Sequence, residues 1–115
     1  MDMLNRCAVI VKPRAPYLAW CRQDDANGVA EAMCARLCDE PTIYLLPECE
    51  TPEAQQLVLD EFWPDLFEAM LSGRVTVPSM LPAQRTRAMF EEWFEVQICS
   101  GVRDLDIDAP LEFFA

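Results

Sequence analysis

The sequence predicts an α+β domain in which a small three-stranded sheet is packed by three to four helices, one of them long and kinked at Pro64. Three observations carry that expectation. Between Leu57 and Leu71 the apolar residues Leu59, Phe62, Trp63, Leu66, Phe67, Met70 and Leu71 recur at i, i+3, i+4 and i+7, the spacing of a helix with one buried face. Three other runs, over residues 7–13, 42–46 and 96–102, are β-branched or alternate apolar with polar residues, as strands do. The resulting order, β-α-α-β-α-α-β, leaves connections long enough for parallel neighbours joined by right-handed crossovers.

Taken from the N-terminus, Cys7 to Pro13 carries no charge until Lys12 and suits a central strand covered on both faces. Pro13 ends it, and Pro16 opens a helix of about a turn and a half over YLAWCR. After the loop QDDANG, residues 28–38 place Val29, Ala32, Met33, Arg36 and Leu37 at helical spacing among strong helix formers. Thr42 to Leu46 is a strand with Thr42, Tyr44 and Leu46 on one face, terminated by Pro47. Thr51, followed by Pro52 and Glu53, caps the long helix, which runs to Ser72 with Gly73 as its stop. Pro64 removes a backbone donor inside it and crowds the carbonyl of Asp60, hence the expected kink. A further helix spans Pro82 to Phe94. From Val96 to Val102 apolar and polar residues then alternate, and Gly101 marks a bulge or close approach. Residues 1–105 form the expected single domain, and residues 106–115 an acidic, aromatic tail that docks or frays.

Composition narrows the function classes. Nine basic residues stand against 20 acidic ones, a net charge of −11. Residues 41–73 hold seven acids and no base. Such a surface repels phosphate backbones, so a nucleic-acid partner is not expected, whereas a basic protein partner is. No stretch reaches the length of a membrane span and the N-terminus lacks a cleavable leader pattern, so a soluble cytoplasmic protein is expected. Six cysteines without a secretory signal read as reduced thiols. The absence of histidine removes Ser-His-Asp and Cys-His catalysis and His-ligated metal. Neither a P-loop nor a G-x-G-x-x-G, G-x-S-x-G or C-x-x-C motif is present, and no metal or other cofactor is expected.

Candidate binding residues fall into four groups, each beside an ordinary reading. Asp24 and Asp25, with Glu48 and Glu50 after the second strand, would form a carboxylate cluster at strand ends, or simply a solvated surface. Asp60, Glu61 and Asp65 lie on the wet side of the long helix and would steer a basic partner. Arg85 and Arg87, with Arg74, would hold an anion, or pair with the many neighbouring acids. Trp93, with Trp20, Trp63 and the phenylalanines, would line a pocket or partner edge, or form the core. Cys34 and Cys38, four apart, would need a second local pair for a zinc site and lack one; Cys49 or Cys99 would have to complete it.

The segments KPRAPYLAW, TIYLLPE, EFWPDLFEAML, MFEEWFEVQICSGVRDL and DIDAPLE together resemble a family of small uncharacterised bacterial proteins over nearly the whole chain. The resemblance implies a self-contained bacterial cytosolic domain and transfers no functional residue. In that family the loop after the long helix is longer and richer in Trp; here it is SGRVTVPSM. The leading expectation is an acidic, non-enzymatic module that binds a basic protein. The alternative is a small-molecule binder or enzyme using Asp24, Asp25, Glu48 and Arg85, and a homo-oligomer with a structural role is the third reading.

Overall fold

A computed structural model describes residues 3–22, 32, 35–36, 39–72 and 81–114. Among these the chain forms strand β1 (Arg6–Pro13), helix α1 (Ala15–Cys21), strand β2 (Ile43–Pro47), helix α2 (Pro52–Ser72), helix α3 (Arg87–Trp93) and strand β3 (Phe94–Cys99). The architecture is α+β, with a three-stranded sheet in the order β2-β1-β3. The uncharged β-rich run is the central strand, as its composition requires.

Both pairings are antiparallel, Val9 opposite Tyr44 on one side and opposite Ile98 on the other. The parallel neighbours that the connections permitted are therefore not used. Connection length is compatible with either direction, and no residue pattern in β1 or β2 distinguishes them. Beyond Cys99 the ladder resumes at the Met3–Arg103 bridge, where the Leu4 amide donates to the Val102 carbonyl at 2.7 Å. Between that bridge and the Ala8–Cys99 pair stand four residues, 4–7, against three, 100–102, so the extra residue lies on the segment opposite Gly101 and not at Gly101 itself.

Period two sends Cys7, Val9 and Val11 of β1 inward, and all three are buried. Leu46 of β2 and Phe94 of β3 join them. Onto this face α2 presses Leu59, Leu66, Phe67, Met70 and Leu71. The stripe read from the sequence is the buried stripe, with Phe62 and Trp63 half-buried at its margin. One helix runs from Pro52 to Ser72 with Pro64 inside it. The Thr51 hydroxyl caps it, accepting from the Ala54 amide at 3.1 Å.

Rings dominate the centre. Phe67 is fully buried and lies 5.8 Å from Phe90, 5.6 Å from Trp93 and 5.5 Å from Phe94, centroid to centroid, distances at which tilted and edge-on rings attract. Tyr17 of α1 packs on Phe94 at 5.0 Å, and its hydroxyl donates to the Met70 carbonyl at 2.7 Å, so α1 is tied to α2 through a satisfied buried donor.

Helix α3 is shorter than the expected Pro82–Phe94. Thr86 is its N-cap, its hydroxyl accepting from the Met89 amide, and Phe94 is already extended and begins β3. Pro82 is an acceptable first helical residue and the apolar spacing runs to Phe94, but the Thr86 cap sets the start and the extended Phe94 the end. The helix expected over residues 28–38 lies mostly outside the described residues; of it, Ala32, Ala35 and Arg36 are helical, and Arg36 accepts from the Glu40 amide. Leu105 and, in the tail, Ile107, Leu111, Phe113 and Phe114 are exposed, with Leu111 and Phe113 beside Leu4, Arg6 and Leu45.

Phe67→Ala removes the ring shared by three aromatic neighbours and is expected to cost about 3–5 kcal/mol in urea unfolding, whereas Thr86→Ala should cost about 1 kcal/mol.

Candidate functional site: the outer face of helix α2

Burying one stripe of α2 dictates what the others do. With 3.6 residues per turn, Glu53, Leu57, Glu61 and Asp65 fall on one row at i, i+4 spacing and face water. None of the three carboxylates forms an ion pair with a described residue. Leu57, between Glu53 and Glu61, is 70% exposed. Its exposure was readable from its phase, since it stands two residues before the first buried position, Leu59.

The next row, Asp60 and Glu68, borders α3 and is neutralised. The Arg87 guanidinium donates to Asp60 Oδ1 at 2.8 Å and, from Nε, to Glu91 Oε1 at 3.1 Å. Arg85 pairs with Glu68. The two arginines of the candidate anion site are thus each engaged by acids, the ordinary reading of that cluster; Arg74 lies outside the described residues. Beside Arg85, an open recess of about 360 Å³ is lined by Trp63, Pro64, Asp65, Phe67 and Glu68.

Other candidates are dispersed. Asp24 and Asp25 lie outside the described residues, as do Cys34 and Cys38. Glu48 and Glu50 are exposed before the N-terminus of α2. Glu68, the partner of Arg85, stands sixteen residues beyond Pro52, about 24 Å along the helix axis. Glu48 and Glu50 are therefore not brought to Arg85. Trp93 is half-buried in the aromatic cluster, 6.0 Å from Trp20 and 6.3 Å from Tyr17. Among the described residues no three Cys, Asp or Glu side chains converge to hold a metal ion, and no helix is long and apolar enough to cross a membrane.

One cluster was not anticipated. Cys49, two residues past β2, places its Sγ 3.0 Å from Sγ of Cys7 on β1, and both are buried free thiols. Seeing this pair requires the β1–β2 register, which sets Cys7 opposite Leu46. Burial, and then the neighbouring Cys49 thiol, push the Cys7 thiol up from 9.0 to about 11.

No protein-family model, no curated protein and no solved structure matches the chain, so the functional reading rests on this geometry.

Two measurements check the site. The Arg87–Asp60 pair joins a largely covered guanidinium to an exposed carboxylate, so a double-mutant cycle should give a coupling of about 0.3–1 kcal/mol at low salt, shrinking at high salt. The Cys7 thiol is protonated in both states below pH 9; between pH 9 and about 11 the unfolded chain ionises first. Stability should therefore fall as pH rises through that window, and Cys7→Ala should remove this part of the decline in unfolding curves taken on either side of it.

Proposed function

We propose that the chain is a non-enzymatic acidic interaction module that receives a basic protein on the outer row of α2. One observation carries the reading: Glu53, Glu61 and Asp65 are exposed, and without an ion-pair partner among the described residues, at one helical spacing around the exposed Leu57, while nearby Arg85 and Arg87 are occupied by Glu68, Asp60 and Glu91. The carboxylates would steer a lysine- or arginine-rich surface into place, and Leu57 would supply an apolar anchor on docking. The half-buried Trp63, with Asp65 at the adjoining recess, offers an aromatic edge to the same partner. A nucleic-acid-binding protein or a toxin has the required basic character; nucleic acid itself has the wrong sign of charge. The reading takes residues 1–105 as one domain and residues 106–115 as a tail, in a bacterial cytoplasm.

Affinity capture from the source lysate at about 50 mM and about 500 mM salt tests the proposal, with wild type beside a Glu53→Gln, Glu61→Gln, Asp65→Asn triple variant. A basic protein retained by wild type at low salt, released at high salt and bound about 10–100-fold more weakly by the triple variant is the expected outcome. Equal retention by both proteins, or retention indifferent to salt, would remove the α2 row as the contact.

A further inference from the structure

Cys7 and Cys49 lie in the core and are not part of the proposed binding row. Their sulfurs are 3.0 Å apart, closer than two non-bonded sulfur atoms normally rest, and the two residues lie 42 positions apart in the chain. Both belong to the apolar core, Cys7 wholly buried and Cys49 3% exposed, and each sulfur has the other as its side-chain neighbour. Strand β1 fixes Cys7 through its ladder to β2 and β3. Cys49 sits on the short segment between Pro47, where β2 ends, and Thr51, which caps α2. A rigid thiol thus meets one on a connecting segment, where local opening requires no strand to separate.

We propose that Cys7 and Cys49 are an oxidisable dithiol that closes to an intramolecular disulfide by exchange with a small-molecule disulfide, clasping the central strand to the start of α2. The electrons balance in two displacements. The Cys49 thiolate, exposed when its segment opens, attacks one sulfur of the small disulfide; a protein–small-molecule S–S bond forms and one small thiolate leaves. Cys7, losing its proton to solvent, then attacks Cys49 Sγ; the protein disulfide forms and the second small thiolate leaves. The protein is oxidised by two electrons and the small disulfide is reduced to two thiols. Closure also constrains the unfolded chain over the 42-residue separation, which favours the folded state.

The test incubates the full-length, reduced, folded protein with glutathione disulfide, then traps remaining thiols by alkylation in denaturant. The expected result is a species about 2 Da lighter before alkylation, with four of the six cysteines alkylated, a Cys7–Cys49 cross-linked peptide in a non-reducing digest and a melting temperature raised by about 5 °C or more. Cys49→Ala should abolish the cross-link, and the wild-type peptide map decides the matter even if that variant folds poorly. Six alkylated cysteines, a mixed disulfide that never resolves, or a cross-link between any other pair, Cys34–Cys38 included, would overturn the proposal.

Discussion

Helix α2 must hide Leu59, Leu66, Phe67, Met70 and Leu71, and the rest of the molecule follows from how it does so. Phe67 is the centre of that face, because its ring touches rings from α3 and β3 at once. Tyr17 adds a directional bond between α1 and α2, its hydroxyl on the Met70 carbonyl, and the same ring packs at a tilt against Phe94. A sheet of three short strands has little apolar area of its own and is marginal without such a cover. Here the cover is mostly aromatic, which concentrates the buried area in few residues.

The same periodicity that buries one stripe exposes another. Once Leu59 and Leu66 face the sheet, Glu53, Glu61 and Asp65 have no direction left except water. Like charges four apart weaken a helix slightly. That small cost is carried by the buried stripe, so the acidic row needs no partner within the chain. Asp60 and Glu68, turned toward α3, are treated differently: Arg87 and Arg85 meet them and leave that seam electrically quiet. The outer row of α2 keeps its charge without such arginine partners among the described residues.

Much of the fold was legible because it depends on period. The buried stripe of α2, the centrality of β1, the Thr51 cap and the inward Tyr44 and Leu46 all follow from spacing or from a single capping side chain. What escaped depends on pairing across the chain. Strand direction is set by where helices carry the chain, not by the composition of β1 or β2, so the antiparallel order could not be read. The start of α3 slipped because Pro82 is an acceptable first helical residue, whereas Thr86 supplies the cap that forms. In the candidate site, the acids of α2 were visible as a wet face, but only the structure separates Asp60, paired with Arg87, from Glu61, which has no ion-pair partner among the described residues. The closeness of Cys7 to Cys49 was invisible for the same reason as strand direction: it is a consequence of register.

The proposal that the acidic outer row is a contact surface is tested most directly by a hydrogen–deuterium exchange footprint of the protein with a basic protein captured from lysate at low salt. Protection concentrated on the α2 segment that carries Glu53, Leu57, Glu61 and Asp65, and lost when salt is raised, is the expected result. Protection on the outer sheet face around Ile43 and Leu45, or on the tail from Ile107 to Phe114, with α2 unchanged, would contradict it.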